Sequence, residues 1–176
     1  MRFIALAAVL LPFIGCGGAH YDHTLRLLQS AGIPYTETPS RDTPLEVVTR
    51  STAVRDPLPV EGADMAYSDI EAALGFAVAS ATSSWASQHV HQHPEGWQLF
   101  VEFTAADAKY VDGRLIVAIV ARATLRTRVG HVYLAQTQTA CSQGGVIPVE
   151  RGGTVVYACM MRIGRDLTDW LGGIDS

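Results

Sequence analysis

Three histidines alternate in the stretch "SQHVHQHPEGW", at His89, His91 and His93. A neutral imidazole is a good metal ligand, and a zinc site needs three or four such donors converging at about 2 Å. Spacing decides whether these three can meet. On a strand all three share one face. On a helix His89 and His93 are neighbours and His91 points away. The residue before Pro94 is disfavoured in helix, so the stretch reads as a helix end running into a loop. There a histidine already gains from the helix dipole, without a metal. His20, Asp22 and His23 could add ligands, but no fourth donor stands at a fixed spacing. The expectation is therefore no metal, with His89, His91 and His93 the only candidates if one binds.

A second constellation is basic. Arg122, Arg126 and Arg128 recur at even spacing in "RLIVAIVARATLRTR" and so share one face of a strand. Guanidinium groups in a row suit an anionic group, such as a lipid headgroup or an acidic partner. The alternative is the solvated outer face of a half-buried sheet. The nucleophile and nucleotide motifs are absent: no G-x-S-x-G, no Walker loop, no H-E-x-x-H and no C-x-x-C. The sequence thus predicts no enzyme and no cofactor. The formal net charge is -4. Removing the first fifteen residues takes away Arg2 and leaves 12 basic against 17 acidic groups, a net of -5. Nucleic acid, which demands a basic stripe with a basic balance, is excluded as a partner.

The third chemistry is at cysteine. "MRFIALAAVLLPFIGCGG" opens with one Arg and continues with an apolar run from Phe3 to Ile14. The run is shorter than the roughly 20 residues that span a bilayer as a helix. A charged start, an apolar middle and a small residue before Cys16 have the form of a secretory signal. The ending "FIGC" resembles the lipobox of bacterial lipoproteins, with Phe13 where Leu is usual. The resemblance implies cleavage before Cys16 and attachment of diacylglycerol and further acyl chains such as palmitate to Cys16. Each buried methylene then contributes about 0.8 kcal/mol, and two or more chains hold lastingly. Gly17 follows, where the resemblance would place Asp for inner-membrane retention, so the periplasmic face of the outer membrane is expected. Export permits disulfides, and Cys141 and Cys159 are a possible pair. Two free buried thiols are the alternative.

The elements that would position these groups follow from patterning. His23 to Gln29 suits a short helix, and "YTETPSRDTP" an extended linker. Leu45 to Val54 alternates as a strand. Ser68 and Glu71 form a capping box that opens a helix carrying Ile70, Leu74, Ala77, Val78, Ala81 and Trp85 on one stripe. Strands follow from Trp97, from Arg114 to Val129 and from Val132 to Ala140, with turns at Asp112-Gly113 and Gly130-His131. "SQGGVIPVERGG" reads as loop. Thr154 to Leu171 forms the last helix, with Val156, Met160, Ile163, Leu167 and Leu171 on one face. The order is β-α-β-β-β-α. The predicted fold is α+β: a four-stranded, mainly antiparallel sheet with two helices packed on one face. The domains are 1–15 signal peptide, 16–44 lipidated N-terminus and linker, and 45–176 a single domain.

On "LEVVTRSTAV", the helix from Ser68, "DGRLIVAIVARATLRTR" and the final helix, the chain resembles the ABC-type transport auxiliary lipoproteins. It is similar in build to the small lipoprotein of the lipopolysaccharide-export complex. The likeness runs from about Leu45 to Leu171. It implies a non-enzymatic accessory or binding subunit of an envelope transport or assembly complex, held to the membrane through Cys16 and binding an envelope protein. Two alternatives remain: a lipoprotein that activates a cell-wall synthase, and a periplasmic metal-binding lipoprotein using His89, His91 and His93.

Overall fold

The computed structural model describes residues 23–34, 44–89 and 96–174. Their fold is mixed α+β, and it is larger than the expected four strands and two helices. The strands are β1 (His23–Arg26), β2 (Leu45–Ser51), β3 (Leu58–Glu61), β4 (Met65–Ser68), β5 (Trp97–Val111), β6 (Arg114–Thr127) and β7 (Tyr133–Val146). The helices are α1 (Leu27–Ser30), α2 (Ile70–Gln88) and α3 (Gly153–Ile174), with a 3-10 turn at Val149–Arg151 before α3. The seven strands form one sheet in the order β1-β4-β3-β5-β6-β7, and β2 also pairs with β5.

The long centre matches the patterning. Leu115, Val117, Ile119, Ala121, Ala123 and Leu125 alternate along β6 and are all buried. The β5–β6 turn holds Asp112 at φ 52° and Gly113 at φ 74°. Two successive positive φ values match the twist of an antiparallel hairpin, which is why Asp-Gly is favoured there. Gly130 (φ 77°) and His131 (φ 51°) repeat the solution between β6 and β7.

The differences lie at the flanks. β2 and β3 both run parallel to β5 along the same edge, β2 against 97–103 and β3 against Ala108 and Lys109. β1 is parallel to β4. The sheet is therefore mixed rather than mainly antiparallel, because α2 carries the chain back over one face between β4 and β5. β3 and most of β4 lie between Val54 and Ser68, where no element is predicted. Pro59 cannot donate to a ladder, and β3 meets β5 only from Val60 onward. β7 continues through "CSQGGV" to Val146, past the expected end at Ala140.

The N-terminal boundary also moves. The residues taken as helix split into β1 and the one-turn α1, and Leu27 and Leu28 are buried in the main core. Residues 23–34 thus belong to the domain and are not linker. The capping box does not form. Asp69, at φ 62°, is the N-cap of α2 and makes no side-chain cap bond. Glu71 is engaged elsewhere: its carboxylate accepts from the Ser51 amide (3.1 Å) and its carbonyl from the Thr49 hydroxyl (3.1 Å). These bonds pin the start of α2 across β2.

Both long helices lie on the face of the sheet that carries the buried alternation, α3 over β6 and β7 and α2 over β2. Val156, Met160, Ile163, Leu167 and Leu171 of α3 are buried, as are Ile70, Leu74, Ala77, Val78 and Trp85 of α2. The helices touch at Gly164. A Cβ there would stand 2.8 Å from the Ala81 Cβ and 3.0 Å from the Ala77 carbonyl oxygen. Only a glycine permits that approach.

Candidate functional site

The basic row stands on the outer face of the sheet, opposite the helices, with Arg122 and Arg126 paired in register to Glu102 and Gln98 of β5. Gln98 is buried on this otherwise open face. Its amide nitrogen donates to Glu46 of β2 (2.8 Å), and its carbonyl oxygen accepts from Arg126 Nε (2.6 Å). The Arg126 guanidinium also lies 5.5 Å from the centre of the Phe100 ring. Arg128 Nε is 3.5 Å from the same Glu46 carboxylate. A chain Arg126–Gln98–Glu46–Arg128 therefore ties three strands, and one carboxylate serves two of its members. An incoming anion would compete with Glu46 for Arg128 and with Gln98 for Arg126. Arg122 is exposed, and Glu102 opposite it accepts from the Thr52 hydroxyl (2.6 Å). Of the three arginines proposed for an anionic contact, two are engaged in holding the face together.

His89 ends α2. Its ring stacks on Trp85 with centroids 4.4 Å apart and planes at 17°. Its Nδ1 is 2.7 Å from the Trp85 carbonyl oxygen. A carbonyl only accepts, so this bond requires the Nδ1–H tautomer and commits that nitrogen. Trp97 meets Trp85 edge-on at 6.2 Å. His89 thus stands at the helix end, as its position in sequence suggested, and there closes an aromatic cluster that the sequence did not signal. His91 and His93 lie outside the described residues. Among the described residues no group of three or more His, Cys, Asp or Glu is placed to hold a metal. Cys16 likewise lies outside the described residues. No helix among them is long and apolar enough to cross a membrane.

Cys141 on β7 and Cys159 on α3 form a disulfide, with Cα atoms 5.6 Å apart. Both are buried, so the bridge is a staple between helix layer and sheet. Near it the Thr139 hydroxyl donates to Asp166 of α3 (3.0 Å).

A cleft of about 460 Å³ beside β1 and α1 had no signal in the sequence. Leu28, Gly32, Ile33 and Pro34 form its apolar wall, and Arg26 and Asp69 stand at its mouth as an ion pair of 2.9 Å. Asp56 lies beside this edge and accepts from the Asp69 amide (3.2 Å). Burial, and less so the Asp69 charge, push the Asp56 carboxyl above its ordinary range, while the backbone bonds pull the other way. On β4, Tyr67 is fully buried and donates to the Val149 carbonyl (2.5 Å). Burial, with the charge of Glu150 as a smaller cause, pushes its phenol up to about 12. The groups are consistent with packing and with a small amphipathic recess. They do not assemble a nucleophile with a base.

No family model and no curated protein matches the sequence. Solved structures do. The protein XCC0632 from Xanthomonas campestris, a DUF330 protein, superposes with a TM-score of 0.51 at 12% identity, over 78% of this chain and 93% of that one. A candidate lipoprotein from Caulobacter crescentus gives a TM-score of 0.43 at 13% identity, over 72% and 90%. The protein CT253 from Chlamydia trachomatis gives 0.40 at 11%, over 74% and 95%. At such identities the likeness to XCC0632 is one of fold.

Proposed function

We propose that this chain is a lipid-anchored envelope lipoprotein whose domain acts as a non-enzymatic accessory or binding subunit of an envelope transport or assembly complex. The observation that carries the reading is the signal-like N-terminus ending in Ile14-Gly15-Cys16. A small residue fits the protease subsite beside the scissile bond, and acyl chains on Cys16 then hold the domain at a membrane. The buried Cys141–Cys159 bridge supports export, since such bridges persist in oxidising compartments. The outer membrane, periplasmic face, remains the proposed location, and an envelope protein the proposed partner.

The test is Cys16→Ser in the exporting cell. The unaltered chain should incorporate radiolabelled palmitate and sediment with membranes. The variant should lose the label and appear in the soluble periplasmic fraction. A Cys16→Ser protein that stays wholly membrane-bound would overturn the anchor. Crosslinking in the native envelope then identifies the partner; recovery of a cell-wall synthase instead of transport subunits would favour the activator reading.

A further inference from the structure

The three sheet edges among the described residues are unequal. β1 has four residues and carries His23 and Arg26. β2 has seven and carries Glu46 and Arg50. β7 has fourteen, "YLAQTQTACSQGGV", with no Asp, Glu, Lys, Arg or Pro. Exposed edges are normally shortened, charged or interrupted by proline, since their unpaired N–H and C=O groups template another strand. β7 is not short, charged or interrupted by proline; its one irregularity is the bulge at Leu134 near its start, and among the described residues it pairs only with β6.

Part of the exposed apolar surface lies on the same strand, while Val111, Ile116, Val129 and Ile174 lie elsewhere. Tyr133 (59%) and Leu134 (40%) stand at its start, with Val132 (57%) just before, and Val146 (81%) closes it. Its middle is small and polar: Gln136, Gln138, Ala140 and Ser142 point to the open face and are exposed. The strand is thus apolar at both ends and uncharged between. Antiparallel alignment of two such strands lays each apolar start beside the other's apolar end, with no charge repelled.

We infer that β7 is a pairing edge and that its partner is a second copy of β7, joined antiparallel about a two-fold axis normal to the sheet and passing near Ala140. This axis keeps the helices of both copies on one side. It pairs Gln138 with Ser142 of the second copy, and Leu134 with Val146 of the second copy. Such a contact is isologous, so it closes at two chains. Main-chain bonds supply the pairing, as in other strand additions. The inference is independent of the proposed anchor.

Sedimentation of the purified full-length chain in density-matched detergent tests it, with two double variants on exposed positions. Q138E/S142E sets glutamate against glutamate twice across the axis. Q138E/S142K makes the same change at Gln138 but sets the new carboxylate against lysine. The wild type should sediment as two chains that separate on dilution, Q138E/S142E as one, and Q138E/S142K as two. Circular dichroism and unfolding midpoints check that both variants fold. Should Q138E/S142E fail to fold, Q138K/S142K provides the same repulsion and Q138K/S142E the same rescue. A wild type that is monomeric throughout its soluble range overturns the inference. So do larger open-ended assemblies, and so do double variants that behave alike, because the register would then be wrong.

Discussion

Removing the constraint between β7 and α3 gives the sharpest test of the packing. Cys141 and Cys159 are 18 positions apart and both are buried, at 4% and 0% exposure. Bridging them restricts the unfolded chain. For a loop of this length the chain-entropy expression gives about 11 cal/mol/K, or roughly 3 kcal/mol at 25 °C. Against a domain stability of about 5–15 kcal/mol this is a large share. Two experiments separate constraint from packing. Reduction of the wild type under denaturing titration removes the loop and leaves both sulfurs in place. The C141A/C159A variant removes the loop and also empties part of the contact between Cys159 and its neighbours. With a urea slope of roughly 2 kcal/mol/M, reduction should lower the midpoint by about 1.5 M, and the double alanine variant should lie at or below that value. Equal midpoints for the oxidised and reduced wild type would refute the reasoning, because a native bridge cannot then be restraining the unfolded state.

Three further outcomes follow from the geometry. Gly164→Ala should destabilise by about 1–3 kcal/mol in thermal unfolding, since the new Cβ forces α2 and α3 apart; an unchanged Tm would show that the helices do not touch at Gly164. Gln98→Met keeps length but loses both bonds, leaving Glu46 and Arg126 short of a buried partner. It should cost about 1–3 kcal/mol in urea unfolding, while a neutral result would make the outer-face chain ornamental. Tyr67 has a folded pKa raised to about 12 from an ordinary 10.0. Its stabilising contribution is therefore complete below pH 10 and is lost as pH rises towards 12. Tyr67→Phe should cost about 1 kcal/mol at neutral pH for the lost bond to Val149, and it should flatten the alkaline limb of the stability profile. An alkaline limb unchanged in the variant would assign that loss to other groups.

Strong periodicity was enough for the centre of the molecule. The β6 alternation and the stripe of α3 each bury on one face only, so side-chain pattern and tertiary environment agree. The flanks failed for identifiable reasons. β1 and β3 have four residues each, too few for a period, and β3 tolerates Pro59 at the point where β5 pairing has not begun. Ser68 and Glu71 matched a capping box in spacing, but Ser51 offered Glu71 an amide from another element. Gly144 and Gly145 read as loop, yet their backbones continue the ladder opposite Ile116 and Leu115. At the candidate site, the arginine row was legible as a row. Its engagement by Gln98 and Glu46 was not, because cross-strand register between β2, β5 and β6 cannot be read from any one of them.

The boundary at His23 changes how the proposed anchor acts. With β1 already in the sheet, Cys16 is seven Cα steps from the first strand, a reach of roughly 25 Å when fully extended. The Thr- and Pro-rich stretch before Leu45 is then an internal connection between α1 and β2, not the tether. The proposed pair through β7 restricts the geometry further. β1 and β7 stand at opposite ends of the strand order, so in a two-fold pair the two β1 strands lie at the far edges of one continuous sheet. Two short tethers at opposite edges reach a single bilayer equivalently when the two-fold axis is normal to it. The axis is also normal to the sheet, so the paired sheet would lie parallel to the membrane. In that attitude one broad face would look at lipid and the other at the proposed envelope partner. The anchor and the pairing edge, each proposed from different residues, are therefore compatible in one attitude of the molecule.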